Sequence, residues 1–499
     1  MKKALLFLHK WLGVALALLF LIWFISGIVL YFVPFPSLTP AERLAGLPTL
    51  ALAPGDRCCL SAQQAQNTLQ EDVPVSEARL GMHAGQPVWR LLAGATQRRW
   101  IAVDARSGAQ LAPLSPAQAA AVAAAFSGRR ALHTETLERD QWTVAQGFNP
   151  YRPLVRVTLD GDDGLELYVA TGSAEVVGET RRTERAWNWI GAVPHWIYFT
   201  ELRRWPERWH NVVVWLSVPG VLLAASGLIL GIWQLFLNRS RWIPYRVFWM
   251  RWHHILGLAA GLVTLTWIFS GLMSMNPWSV FSPRGATPEE QQRWRGDPAH
   301  QATLNPAQAL QLATTLAAPL AVRELETLQW NGQHWYRLRA PEGQRLIRAD
   351  GTDGAHHTVL TALPDTAINS ALRGLRQTAP ASLTRIDEYD TLYYASEHNP
   401  ARRQSRPLPV WRASWADGVV VYADPASTRI VLRADASTHW QRLLYNGLHS
   451  FDFAPLIARP WLRNSLIVLL SLLGIAMSIT ACILAWRIVA PAKKHSPRC

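Results

Sequence analysis

Histidine occurs in two settings, and each setting appears twice in the chain. His9-Lys10-Trp11-Leu12-Gly13 opens one long apolar run and His253-His254-Ile255-Leu256-Gly257 opens another, with Ser26-Gly27 and Ser270-Gly271 at the same distance downstream. A second pair repeats as closely: His195, Pro206, Ser217 and Gly220 stand at the spacing of His449, Pro460, Ser471 and Gly474. Four histidines therefore sit at the mouths of four hydrophobic segments. An ionisable side chain at membrane depth is costly and reads as functional, and neutral imidazole is a ligand of metals and of haem iron. The chemistry that this pattern points to is that of a membrane cytochrome.

The elements that must position these residues are transmembrane helices. The 499 residues are 49% hydrophobic, and the apolar stretches, about 5–32, 212–237, 255–275 and 466–486, each approach the ~20 residues needed to cross a bilayer. The first is too long for the apolar region of a signal peptide and ends in Tyr-Phe-Val-Pro-Phe-Pro in place of a small-residue cleavage site, so it is expected to be an uncleaved anchor. All five lysines, Lys2, Lys3, Lys10, Lys493 and Lys494, lie at the termini, and Arg239, Arg241, Arg246 and Arg251 fill the connection between the second and third spans. By the positive-inside rule both termini and that connection face the cytoplasm. The long polar segments, about 34–210 and 276–464, are then periplasmic, and the membrane is the bacterial inner membrane. The net charge of +14 follows from membrane flanks and scattered arginines, with no nucleic-acid-binding motif.

Depth decides which histidines pair. His9 and His253 lie at the cytoplasmic ends of their helices, whereas His195 and His449 precede helices that start on the periplasmic side. Two ligands must approach one iron from opposite faces, so one haem is expected between His9 and His253 and a second between His195 and His449. Gly27 follows His9 by five helical turns, on the same stripe and about 27 Å away; Gly13 lies close to that stripe, and Gly257 and Gly271 repeat the arrangement. Such glycines let a macrocycle approach the backbone, or serve helix packing.

Other residues compete for these roles. His254 points about 100° away from His253 on a helix, and His210 opens the second span where Arg463 is its approximate counterpart. His133 and His398 read as surface residues. Trp187, Trp189, Trp196, Trp205 and Trp209 form an interfacial belt. Arg203, Arg204, Arg208, Arg459 and Arg463 stand near the same level, suited either to haem propionates or to lipid phosphates. Cys58-Cys59 reads as an incidental dipeptide, and the four cysteines make no disulfide framework or metal site.

The halves also repeat outside the membrane. A helix beginning at Leu60-Ser61-Ala62-Gln63-Gln64-Ala65 precedes strands near 87–91 and 99–104; a helix beginning at Leu304-Asn305-Pro306-Ala307-Gln308-Ala309 precedes strands near 334–338 and 345–350. Asp140 precedes Asn149-Pro150 as Asp390 precedes Asn399-Pro400, each followed by strand-like pieces, 165–169 and 418–422. Helix first, then a meander, reads as α+β. The acidic pairs Glu138/Asp140 and Glu388/Asp390 recur too, as fold-determining turns also would.

With these residues in place, the chain resembles the PepSY-associated transmembrane family along nearly its whole length. The resemblance rests on His-Lys-Trp-Leu-Gly at His9, its counterpart at His253, the Pro194-His195 and Leu448-His449 segments, and the two repeated α+β units, which look like PepSY domains. It implies an α+β membrane protein built by internal duplication, with a four-helix transmembrane bundle and two PepSY-like periplasmic domains. The segments run 1–33 (first span), 34–183 (first domain), 184–238 (interfacial segment and second span) and 239–252 (cytoplasmic loop), then 253–276 (third span), 277–438 (second domain), 439–487 (interfacial segment and fourth span) and 488–499 (tail). It further implies a haem b oxidoreductase, iron-regulated, with two haems on His9, His253, His195 and His449, reducing a periplasmic ferric siderophore.

No glycine-rich dinucleotide loop, Walker loop or His-Glu-x-x-His stands in the chain. The electron donor is therefore expected to be separate, a quinol or a cytoplasmic flavoprotein, and the chemistry an electron relay without a protein nucleophile. Membrane lipids are the other expected partners. The alternative reading is a PepSY-type regulator or inhibitor of a periplasmic protease without redox activity. A transporter fits less well, since four spans without broken helices leave little room for a midplane site.

Overall fold

The computed structural model describes residues 2–52, 58–69, 73–237, 243–298, 302–316, 320–350, 359–395 and 405–490. Arg239, Arg241, Lys493, Lys494, His398 and Asn399-Pro400 lie outside the described residues. The chain divides into two compact units, Met1–Phe35 with Ala186–Ser282 and Ser437–Cys499, and Pro36–Arg185 with Pro283–Ala436.

The first unit is built on four long helices, Lys2–Phe32, Pro206–Leu237, Phe248–Ser274 and Pro460–Val489. All four are long and apolar enough to cross a membrane. The shortest has 27 residues, which at 1.5 Å per residue is about 40 Å, against the roughly 30 Å of a hydrocarbon core. A helix that is apolar on every face has no water-facing stripe, and these present their apolar surface both to each other and outward. Pro206 and Pro460 open the second and fourth spans, where a missing N–H leaves no further donor unpaired. The first span packs on the second and fourth, and the third on the same two, closing a four-helix ring.

Between the two histidine levels the bundle is filled by Leu16, Phe20, Phe24, Leu223 and Ile268. Phe24 lies so close to Gly474 that a Cβ there would be 2.2 Å from its ring, and Ile268 lies 3.0 Å from the corresponding position at Gly220. The glycines that repeat in the sequence thus accept an apolar knob from the neighbouring helix. Two short helices, Ala192–His195 and Leu448–Ser450, carry the remaining histidines ahead of the second and fourth spans.

Among the described residues, the second unit holds three antiparallel sheets. One has seven strands in the order Val359–Leu360, Gly343–Arg348, Gln333–Ala340, Glu324–Trp330, Val75–His83, Gln86–Ala93 and Arg99–Asp104. The halves meet inside it, where Leu80 pairs with Leu325 and Arg79 with Glu326. Its core joins Leu80, Trp89 and Leu91 to Leu325, Tyr336 and Leu338. Cys58 and Cys59, expected as an incidental dipeptide, are joined by a disulfide within this core. The strands read near 87–91, 99–104, 334–338 and 345–350 all fall in this sheet.

The other two sheets repeat each other: Ala131–Leu137, Leu154–Leu159, Glu166–Ala170 and Glu175–Thr180 in one, Ser382–Ile386, Val410–Ser414, Val420–Asp424 and Arg429–Ala434 in the other. The recurring acids hold equivalent turns in them. Asp140 accepts the N–H groups of Trp142 and Thr143 and the Tyr168 hydroxyl at 2.7 Å; Asp390 accepts those of Leu392 and Tyr393 and the Tyr422 hydroxyl at 2.7 Å. Their recurrence is accounted for by these turns.

Candidate functional site

Each histidine level of the first unit is a pair of facing imidazoles. The His9 and His253 rings lie 6.3 Å apart between centroids, inclined at 41°. The His195 and His449 rings lie 6.1 Å apart at 62°. His9 and His253 come from the first and third spans, His195 and His449 from the two short helices, so each pair takes one ring from each half of the repeat.

One nitrogen of each ring, Nδ1, is held by a hydroxyl. His195 Nδ1 lies 3.2 Å from both Ser26 Oγ and the Trp23 carbonyl; His449 Nδ1 lies 3.0 Å from Ser270 Oγ. At the other level, His9 Nδ1 lies 3.3 Å from Ser226 Oγ and 3.2 Å from the Leu223 carbonyl, and His253 Nδ1 lies 3.0 Å from Thr480 Oγ1. Each hydroxyl donates its own proton to the carbonyl three residues earlier: Ser26 to Trp23, Ser226 to Leu223, Ser270 to Trp267 and Thr480 to Met477. With that proton committed, the hydroxyl oxygen accepts, and the proton it receives is the Nδ1–H. The hydrogen-bond network therefore assigns all four imidazoles the tautomer protonated at Nδ1, which leaves the Nε2 lone pair as the ligand position. Fixing a ligand imidazole through its other ring nitrogen is the usual outer-shell device of metal sites.

The four hydroxyls cross the levels. The first span supplies His9 to one level and Ser26 to the other, and the third supplies His253 and Ser270. Ser26 and Ser270 were visible in the sequence as markers of the repeat. Ser226 and Thr480 were not singled out, although each follows its helix-opening proline by twenty residues; that register is the signal which would have found them.

A cavity of about 410 Å³ opens at the His9 level, lined by residues of all four spans including both histidines, Gly13, Phe20 and Gly257. This is within the range of small-molecule sites, about 300–1,000 Å³. A Cβ added at Gly257 would meet no atom within 4 Å, whereas one at Gly227 would stand 2.5 Å from the His9 ring. Gly227 lets that ring lie against the second span. Gly27 and Gly271 stand beside the His195 and His449 rings, where a Cβ would lie 3.2 and 3.7 Å away. Gly13, Gly27, Gly257 and Gly271, the glycines of the repeat, thus border histidines or the cavity.

The rivals fall elsewhere. His254 is buried next to Tyr245, ring centroids 5.4 Å apart, and lines the same cavity without facing His9. His210 lies within the second span, and the ring opposite His449 is that of His195. His133 is exposed on a strand of the other unit. Of the arginines, Arg463 is paired with Asp452 and donates to the Ser450 carbonyl at 2.9 Å. Arg204 pairs with Glu201 at 3.4 Å, Arg459 donates to the Pro455 carbonyl at 3.4 Å, and Arg203 stacks on Trp209 and Tyr198 at 4.5 and 5.0 Å. Arg208 lies over Trp205 at 4.9 Å.

The donor set can be tested against haem. Two imidazoles sharing one metal at about 2 Å per bond have ring centres roughly 6 Å apart, and both pairs stand at that separation. Among the described residues no three His, Cys, Asp or Glu side chains converge as a metal site. Two imidazoles alone suit an iron whose other positions come from a macrocycle better than a bare ion. The residues present fit the group.

A family model described as PepSY-associated TM region matches residues 6–488. No curated protein matches the chain.

Proposed function

The chain belongs to the PepSY-associated TM family, and from that premise and its two imidazole pairs we propose that it is a haem b membrane oxidoreductase. His9 and His253 hold one haem and His195 and His449 the second. A bound haem supplies one-electron redox chemistry, its iron alternating between the ferric and ferrous states. The chain's own residues do the rest. The four hydroxyls fix ring orientation and keep each Nε2 free of its proton, while Leu16, Phe20, Phe24 and Ile268 exclude water between the levels. The basic flanks support a topology with cytoplasmic termini in a bacterial inner membrane, so that the His9 level faces the donor, a quinol or a cytoplasmic flavoprotein, and the His195 level faces a periplasmic acceptor. The family resemblance supports a ferric siderophore as that acceptor, which would gain one electron and release ferrous iron.

The observation that carries this reading is the repeated arrangement itself: two imidazole pairs, each ring held at Nδ1 by a hydroxyl of a neighbouring helix. Its test is the visible spectrum of detergent-purified protein expressed with haem supplied. Soret and α bands with two haems per chain are expected, and their absence would overturn the proposal. Dithionite-reduced protein mixed with ferric chelates then tests the acceptor. Reoxidation by the chelates without oxygen is expected, and reoxidation by oxygen alone would remove the siderophore.

A further inference from the structure

The cavity at the His9 level has two kinds of wall. Val14, Ala17, Phe20 and Leu223 line its body, and a second set, Lys10, Gln234, Tyr245 and His254, lines it from residues near the helix ends and the adjoining connection. Among the described residues, no Asp or Glu lines it. Three of these four side chains carry donors of the kind that bind carboxylate: an ammonium, a phenol and an imidazole. Lys10 follows His9 as His254 follows His253, so the sequence repeat places one donor beside each ligand of the pair.

His254 gives the independent sign of a missing partner. Its side chain is 8% exposed and its Nε2 is buried without a hydrogen bond, an arrangement that leaves a polar atom desolvated for no return. Tyr245 packs edge-on against it at 5.4 Å, bringing the phenol to the same part of the cavity.

We propose that Lys10, Tyr245 and His254 form a carboxylate-binding mouth, which takes the acidic edge of a flat amphiphile whose apolar body fills the cavity. Resting on the haem reading, this assigns the two propionates of the His9/His253 haem to the two halves of the repeat, with Lys10 toward one and His254, supported by Tyr245, toward the other. The mouth would hold the macrocycle in one orientation between the two imidazoles, which the imidazoles alone would not.

The test compares haem with its dimethyl ester, in which both carboxylates are masked. Full-length apoprotein carrying His449→Ala, which retains only the His9/His253 pair, is titrated with each ligand and followed at the Soret band. Free haem is expected to bind roughly tenfold or more tightly than the ester, as befits charge-assisted hydrogen bonds lost on esterification. Adding Lys10→Gln and Tyr245→Phe, two mild changes at the rim, should narrow that gap to about twofold while the bis-imidazole spectrum persists; His254→Leu should do the same. Equal binding of haem and ester by the chain with an intact mouth would overturn this proposal and leave the haem reading standing. Binding of neither would overturn the haem reading itself.

Discussion

Ser270 Oγ, on the third span, lies 3.0 Å from Nδ1 of His449 while donating its own proton to the Trp267 carbonyl, also at 3.0 Å. One hydroxyl thereby sets both the tautomer and the orientation of a ring that belongs to another helix. Ser270→Ala removes the acceptor and leaves the His449 Nδ1–H without its hydroxyl partner. Affinity for haem at the His195/His449 level is expected to fall about 10–100-fold, the usual effect of losing an outer-shell partner, with the His9/His253 level unchanged. Haem titration with pyridine haemochrome counting checks this. Loss of neither haem would separate Ser270 from the site.

Ligand removal distinguishes the two levels directly. His9→Ala or His253→Ala should each remove one haem equivalent and leave one, because the 6.3 Å pairing makes both rings of that level necessary. His195→Ala or His449→Ala should remove the other. A variant that lost both haems, or kept both, would contradict the pairing by level. Haem content per chain, measured on protein of unchanged helicity, is the deciding quantity.

The contact between the first and fourth spans is closest at Gly474, where a Cβ would stand 2.2 Å from the Phe24 ring. Gly474→Ala forces Phe24 or the fourth span to shift, and overpacking of this kind costs about 1–3 kcal/mol. A lower thermal midpoint in detergent is expected. Gly474→Ala with Phe24→Leu should recover part of it, since the smaller side chain vacates the contact. A single variant as stable as the parent would show that the bundle accommodates the methyl group without strain.

Much of the site was legible because the repeat obeys fixed offsets. His9 and His253, and His195 and His449, stand in matching registers, and depth alone sorts them into the pairs that the structure brings together. The hydroxyls were harder to read: Ser and Thr are common in spanning helices, and only the fold shows that Ser226 and Thr480 reach histidines of another helix. The joining of the two halves through Leu80 and Leu325 was not legible either, since each strand satisfies its own alternation whatever lies at its edge. Nor was the use of Arg463, which the sequence offered to a propionate or a lipid phosphate and the fold pairs with Asp452.

The same sheet contains a buried charge cluster whose pH response follows from its geometry. Glu324, 1% exposed, accepts from Arg43 at 2.7 Å and from Arg339 at 3.0 Å, with Arg79 at 3.5 Å. Burial pushes its carboxyl up, but the three guanidinium groups outweigh that and hold it at about 2, below its ordinary 4.5. A depressed carboxylate pKa contributes stability that is fully present above 4.5 and is lost as pH falls toward 2, where the folded state takes up the proton. Glu324→Gln removes this charge while Arg79 stays buried and Arg43 and Arg339 half-buried, and breaking such a network costs up to about 3–5 kcal/mol. The variant is therefore expected to unfold at lower temperature at pH 7, and to show a flatter decline in stability between pH 5 and pH 2 than the parent. Thermal unfolding followed by circular dichroism across that range measures both. Parallel curves would mean that Glu324 keeps its ordinary affinity for the proton despite the three guanidinium groups around it.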